Sequence, residues 1–330
     1  MIGGGPAGSA AAATFARTGR SVLLVVDLPR RRAFGVGEGA PPGLDRAVDE
    51  VFGPSTFVAT DHLRSLGNRA AWGTDELTRT DFMFSPFGTG WHLDRIAFDT
   101  ALLAAAETAG VTVTSVVDAG DADIAAPVVV DASGRRAGHA RRHGARRIAD
   151  DRLTAVLATY ARASDDDDAT TTVEATETGW WYTCPIPRRR RVVAFFTDGD
   201  LLTAAQRTSD GFDHNARHTV HVAELLGERT PSPPLVVAAD TARLEPAFGN
   251  GWLATGDAAA SFDPLSSQGI LTAVLMGREA ALHSDDPAGY AARYRRVIAG
   301  YEAEQRATYQ REQRWPASPF WARRHRREMP

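Results

Sequence analysis

Residues 1–12 read MIGGGPAGSAAA, and the fold turns on what Gly3, Gly5 and Gly8 do there. Their spacing is G-x-G-x-x-G, the pattern that turns a buried strand into a helix whose first turn faces a phosphate. Alone the pattern is weak, so its surroundings decide. After Gly8 comes SAAAATFARTG (9–19), small residues for close packing on a sheet, Ala12 among them, with Gly19 as a helix stop. SVLLVVD (21–27) follows, apolar and β-branched, as a buried parallel strand. It ends in Asp27, about 20 residues past the loop, where an acid meets the ribose hydroxyls of a dinucleotide. Loop, helix, strand and acid agree on a dinucleotide-binding unit, without separating NAD from FAD. Only Met1 and Ile2 precede the glycines, whereas a central strand has about 5–6 residues. This shortness leads to the expectation that the start lies inside a longer gene or that the chain was trimmed.

Composition narrows the class. The chain has 330 residues, 43% hydrophobic and 24% charged, which suits a soluble globular protein with a substantial core. No run approaches the roughly 18–20 apolar residues of a membrane span, and no basic segment before Val22–Val26 marks a signal peptide. A single cysteine, Cys184, excludes an intrachain disulfide and a CxxC zinc site. These points favour a cytoplasmic protein with no membrane partner. All 37 basic side chains are arginine. Together with heavy alanine use, this suggests a GC-rich genome, and it excludes any mechanism that needs a lysine. The net charge of −4 argues against nucleic acid as a partner. The runs Arg188–Arg191 and Arg323–Arg327 read as solvated turns or helix ends.

A second stretch, GWLATGDAAASFDPLSSQGILTA (251–273), favours a flavin. Trp252–Ala254 is a short strand with Gly256-Asp257 at its carboxyl end. A carboxylate there can accept a hydrogen bond from a ribityl hydroxyl, which nicotinamide nucleotides lack. Asp263-Pro264 makes a turn, and Ser266, Ser267 or Gln268 can cap a helix beginning near Gly269. The positive end of that helix would stabilise an anionic reduced isoalloxazine. APVVVDASGRRA (126–137) is a third element, a strand ending at Asp131 with Gly134 in the turn beyond it.

These stretches resemble the GD motif and the D-x-x-G turn of flavoproteins with the aromatic-hydroxylase (glutathione-reductase-like) fold, flavin-dependent halogenases included. The resemblance implies FAD, with Gly3, Gly5, Pro6, Ala7, Gly8, Asp27, Asp131, Gly256, Asp257, Pro264, Ser267, Gln268 and Gly269 around it. GTGWHLDRIAFDTALLAAAETAG (88–110) is similar to the family segment in which an arginine, here Arg95, approaches the flavin nucleotide from a helix start. The plainer alternative is that Asp94 and Arg95 cap that helix, whose buried stripe is Phe98, Leu102, Leu103 and Ala106. The implied fold class is α/β: a discontinuous Rossmann-like FAD domain (1–58, 88–150 and 241–287), a mainly antiparallel β substrate domain (59–87 and 151–240) and a C-terminal helical segment (288–330).

The substrate half alternates in strand fashion, with turns at Asp165–Asp168, read as a solvated hairpin end rather than a metal site, and at Arg188–Arg190. The resemblance makes its inner face the roof over the flavin ring. In GWWYTCPIP (179–187) Tyr182 and Cys184 stand where halogenases carry the tryptophans of W-x-W-x-I-P, and the halide-carrying lysine of those enzymes is missing. Halogenation is therefore disfavoured. Trp180, Trp181 and Tyr182 are candidate substrate-pocket residues, the plain alternative being that at least one tryptophan packs the sheet.

Together with GEGAPPG (37–43) and RWPASPFWARR (314–324), the motifs resemble most the monooxygenases that modify a tryptophan during maturation of tryptophylquinone enzymes. That resemblance implies reduced FAD, molecular oxygen and a flavin C4a-hydroperoxide that hydroxylates an aromatic, tryptophan-type substrate. The substrate could be a peptide, a protein or a natural-product precursor. Electrons would come from NAD(P)H or a separate flavin reductase. Gly39 replaces the hydroxyl side chain usual after Glu38. Glu38 and His92 are the acid–base candidates, each equally compatible with a structural role; His92 would titrate near neutrality. His62 and His139 have no supporting context. In the C-terminal segment Tyr290, Tyr294, Val297, Ile298 and Tyr301 share helical spacing, and Trp315, Phe320 and Trp321 cluster as a packed lid or, alternatively, a docking surface for polypeptide. Two other functions stay open: a flavin dehydrogenase or reductase on C–C bonds, and a flavin-containing maturation partner that binds a polypeptide without turnover.

Overall fold

The computed structural model describes residues 1–27, 38–117, 126–163 and 165–326. They form two compact units, one of residues 1–61, 94–150 and 241–301, the other of 62–93, 151–240 and 302–330.

In the first unit the opening residues act as a strand in miniature. Ile2 N–H donates to Val130 O at 3.0 Å and Ile2 O accepts from Ala132 at 2.8 Å, while Val25 N–H donates to Met1 O at 2.9 Å. Ile2, fully buried, thereby bridges Leu23–Asp27 and Val129–Asp131 in parallel register. Thr112–Val116 extends this sheet beside Leu23–Asp27, and Trp252–Ala254 extends it beside Val129–Asp131, both parallel. Over it lies the helix Pro6–Arg17, whose alanines from Ala10 to Ala13 are fully buried. Small side chains let this helix meet the helix Gly269–Leu282, where a β-carbon on Gly277 would collide with Ala7 O. The helix Arg95–Thr108 buries Phe98, Leu102 and Ala106. Helix Pro287–Gln310 enters this unit through buried Tyr290 and Tyr294, whose hydroxyls donate to Ala254 O and Ala259 O.

The second unit is a seven-stranded sheet in the order Leu235–Ala238, Leu153–Ala161, Arg190–Asp198, Gly179–Ile186, Thr170–Thr176, Gly67–Ala71, Thr78–Asp81. All its pairings are antiparallel except that of Thr170–Thr176 with Gly67–Ala71. One face packs Val156, Ala158, Trp181, Val193 and Phe195 against Phe212, Ala216, Val222 and Leu226. Buried Glu174 accepts the N–H groups of Val220, His221 and Val222 at 2.7–2.9 Å and so fixes the start of the short helix His221–Glu224. On the other face Trp180 joins Trp72, Tyr309, Phe320 and Trp321 in an aromatic cluster.

The boundaries drawn from sequence differ from these units at residues 59–61, which go with the first unit, at 88–93, and in the C-terminal segment, which divides after residue 301. Gly90–His92 pairs with Leu63–Ser65, and residues 88–93 fall with the second unit. Residues 302–326 belong there too, because Arg324 reaches Asp198 at 2.9 Å and Trp321 Nε1 donates to Thr176 O at 2.8 Å. The aspartate run is a solvated tip only in part: Asp165 and Asp167 are exposed, while Asp166 and Asp168 are not. Arg162 and Arg191 hold Asp166 at 2.9 and 3.4 Å, and Arg191 and Arg69 both hold Asp168 at 2.9 Å. The Arg191 side chain is 1% exposed, and a guanidinium so buried must be neutralised. The hydrogen bond from Arg162 holds the Asp166 carboxyl well below its ordinary range.

Candidate functional site

The first unit gathers the glycine loop, the two turns and two helix starts quoted above. Gly3 adopts φ +100°, and a β-carbon on it would collide with Ala132 O; one on Gly8 would collide with Gly3 O. Both glycines are therefore required by the fold. Gly5 differs: nothing lies within 4 Å of where its β-carbon would be. It is the N-cap of the helix that begins at Pro6, and no side chain caps that end. Open space beside uncapped first-turn N–H groups is a cradle for phosphate.

Ser266, Ser267 and Gln268 do not cap the second helix as anticipated. Gln268 takes the N-cap position of Gly269–Leu282 without a side-chain hydrogen bond. Asp263 instead ties the preceding turn, accepting from Leu265 N–H at 2.9 Å, and Ser267 adopts φ +53° after Pro264–Ser266. Nothing lies within 4 Å of a β-carbon on Gly269, so this helix start too is open to an electron-rich group. Gly256, Asp257 and Gly269 share an open pocket with Phe262, Thr272 and Tyr294. Gly256 backs onto the loop, 2.6 Å separating its would-be β-carbon from Ala7 Cβ.

Consecutive arginines hold the two carboxylates. Arg136 Nη2 lies 3.2 Å from Asp27, and Arg135 Nε lies 3.7 Å from Asp257. These residues were within the quoted DASGRRA stretch, where a basic pair directly after Gly134 was the available signal. Asp27 and Asp257 are 41% and 49% exposed, so each keeps lone pairs for a ligand hydroxyl. Asp131 does not. It is fully buried and accepts from Ser133 N, Ser133 Oγ and Ala140 N at 3.0, 2.6 and 2.8 Å. Its carboxylate shapes the turn that backs Gly3 and faces no solvent. Arg95 donates to both oxygens of Asp99 at 3.1 Å, and Asp94 caps the helix through Ile96 and Ala97 N–H.

Loop, uncapped helix ends and half-exposed acids fit a dinucleotide with a ribityl chain. The described residues hold no cluster of three or more His, Cys, Asp or Glu side chains that could hold a metal ion. Among the described residues no helix is long and apolar enough to cross a membrane.

Glu38 is buried beside the short strand Gly39–Ala40; Gly37 before it lies outside the described residues. In the second unit His92 is fully buried, with Nε2 3.0 Å from Thr171 Oγ1. Its Nδ1 has no hydrogen-bond partner among the described residues. Burial pushes this imidazole down to about 3, Asp168 opposing the shift while Arg191 and Arg162 reinforce it. The anticipated titration near neutrality is thus corrected, and a neutral imidazole remains.

The three pocket candidates separate. Trp180 and Trp181 point to opposite faces because strand side chains alternate. Trp180 stacks on Phe196 at 3.9 Å and donates to Tyr309 Oη at 3.0 Å, whereas Trp181 stacks on Phe195 at 4.8 Å. Both are core residues. Tyr182 is half-buried and donates to Cys184 Sγ at 3.2 Å, so of the three it alone is not buried.

Residues 70–330 match the tryptophan halogenase family. Over its length the chain is similar to LodB of Marinomonas mediterranea, named as an FAD-dependent oxidoreductase, at 29% identity over 98% of this chain and 96% of LodB. Among solved structures it is similar to the myxobacterial chondrochloren halogenase CndH, a variant of FAD-dependent halogenases (20% identity, TM-score 0.84, 98% of this chain and 84% of that one). It is also similar to QhpG, a peptidyl tryptophan dihydroxylase essential for tryptophylquinone cofactor biogenesis (23% identity, TM-score 0.74, 98% and 77%). At these identities the two structures speak for the shared fold.

Proposed function

The chain belongs to the tryptophan halogenase family, and from that premise we propose an FAD-dependent monooxygenase that hydroxylates a tryptophan-type aromatic ring. The observation that carries this reading is the absence of lysine from all 330 residues. Without a lysine amine no side chain is available to carry an oxidised halide, which favours oxygen transfer over halogenation. Tyr182 and Cys184 in place of the two motif tryptophans support the same choice. Similarity to an oxidoreductase and to a peptidyl tryptophan dihydroxylase agrees with it.

Bound and reduced, FAD would supply the activation of molecular oxygen. The chain's residues would do the rest. The Gly3–Gly8 loop and the start of the Pro6–Arg17 helix would seat the pyrophosphate. Asp27, braced by Arg136, would accept from ribose hydroxyls, and Asp257, braced by Arg135, from the ribityl chain. The open end at Gly269 would face the pyrimidine edge of the ring. Tyr182 would give a substrate ring an aromatic surface to lie against. Neutral His92 would accept or donate a hydrogen bond without adding charge. NAD(P)H or a separate flavin reductase would provide electrons, and the substrate would be a tryptophan in a peptide, a protein or a natural-product precursor.

The test is turnover with enzymatically reduced FAD, oxygen and tryptophan peptides, with chloride and bromide present. A product heavier by one oxygen is expected. A halogenated product would overturn the reading, and a stable peptide complex of unchanged mass would favour a maturation partner without turnover.

A further inference from the structure

The seven-stranded sheet ends on one side in Thr78–Asp81, with no further strand beyond it among the described residues. Thr78, Arg79 and Thr80 are exposed. The strand runs antiparallel to Gly67–Ala71, with Asn68 opposite Thr80 and Arg69 opposite Arg79. Phe82 N–H donates inward to Leu66 O at 2.9 Å. Backbone groups alternate sides along a strand, so the N–H and C=O of Arg79 and Asp81 point outward.

The chain then turns through Phe82–Phe84. Asp81 accepts from Met83 N–H at 2.9 Å, and Ser85 N–H donates to Phe82 O at 2.9 Å. This fixed turn leaves Met83 74%, Phe84 83% and Phe87 57% exposed, and Leu77 on the other side of the strand is 37% exposed. An apolar run beside an open strand edge is a surface that a partner covers.

Charge selects the partner. We propose that this edge pairs antiparallel with the same edge of a second copy of the chain, about a two-fold axis at Thr80. Arg79 of each copy then forms a hydrogen-bonded pair with Asp81 of the other, twice per dimer. Sliding by two residues either way would set Arg79 against Arg79 or Asp81 against Asp81, and like charges directly opposite are destabilising. The self-complementary register also brings Leu77 of one copy towards Met83 of the other. An isologous contact of this kind closes at two subunits. Arg79 and Asp81 lie on one face of the sheet, 3.6 Å apart within a strand, so the dimer sets four charges in alternation. An edge guarded by charges of one sign would repel its own copy; this edge does not.

The test is the mass in solution of the flavin-loaded full chain across a concentration series. Twice the chain mass is expected at the upper end. Arg79→Asp and Asp81→Arg should each weaken association about 10-fold, since each creates two like-charge pairs. The double variant Arg79→Asp/Asp81→Arg should recover it. Thr80→Cys gives a covalent readout, because residues at the axis of such a pair sit about 4.5 Å apart, within disulfide range. The native Cys184 is buried and the chain's only cysteine, so an oxidised dimer reports position 80 alone; Thr78→Cys, off the axis, should stay uncrosslinked. A single-chain mass at every concentration would overturn the proposal. So would a dimer indifferent to both charge reversals, or a Thr80→Cys chain that oxidation leaves monomeric.

Discussion

Gly277 lies so close to Ala7 that a β-carbon on it would collide with the Ala7 carbonyl oxygen. Backbone meets backbone there, and neither helix can yield without moving the glycine loop.

Gly277→Ala should therefore cost about 1–3 kcal/mol, as overpacking does, read as a lowered melting temperature, with flavin content falling alongside. Gly5→Ala should separate the two effects. Gly5 has extended backbone and open surroundings, so stability should change by less than about 0.5 kcal/mol. Flavin affinity should fall at least about 10-fold, because the methyl group occupies the space of the phosphate. An unchanged flavin affinity would remove that loop from the cofactor site.

Asp257→Ala should leave the melting temperature of the flavin-free chain nearly unchanged, since its ion pair to Arg135, at 3.7 Å, is long and half-exposed. Titration with FAD should show about a 10-fold weaker complex, the loss of a hydrogen bond to a charged group. Equal binding by the variant would show that the Gly256-Asp257 turn only ends a strand.

Of the adjacent aromatics, Trp181→Ala should be the costliest, about 3–5 kcal/mol, because it empties the core beneath Phe212. Trp180→Phe should lose the hydrogen bond to Tyr309, at about 0.5–1.5 kcal/mol. Tyr182→Phe should cost less than either in chemical denaturation. Turnover of an aromatic substrate should change most, per unit of stability lost, at position 182.

His92 sets a pH dependence. Its folded value of about 3 lies below its ordinary 6.5, so between those limits the unfolded chain binds the extra proton. The stabilisation from a neutral buried imidazole is complete above about pH 6.5 and is lost as pH falls towards 3. The wild type should lose stability steadily from pH 6.5 to 4.5, and His92→Gln should flatten that slope. A parallel slope in the variant would assign the acid sensitivity to other groups.

The nucleotide half was legible in sequence because its constraints are local. Glycines at fixed spacing, a run of alanines and Asp27 at a strand end each follow from backbone geometry within about 30 residues. Pairings across long separations were not legible. Asp166 and Asp168 read as a solvated turn because Arg69 and Arg191, which bury them, come from other strands. The partners of Asp131, Ser133 and Ala140, are turn backbone and a small side chain that carry no signature. For Trp180 and Trp181 alternation predicts opposite faces, but which face is covered depends on Tyr309 and Phe212, far along the chain.

The aromatic cluster around Trp180 has a consequence for synthesis. Its partner Tyr309 lies 129 residues further on, and at about 5–20 residues per second the ribosome takes roughly 6–26 s to deliver it. For that interval the Trp180 face of the sheet lacks its cover. A nascent chain halted before Tyr309 should therefore engage holdase chaperones, and release from them should coincide with emergence of the segment that ends in Trp321.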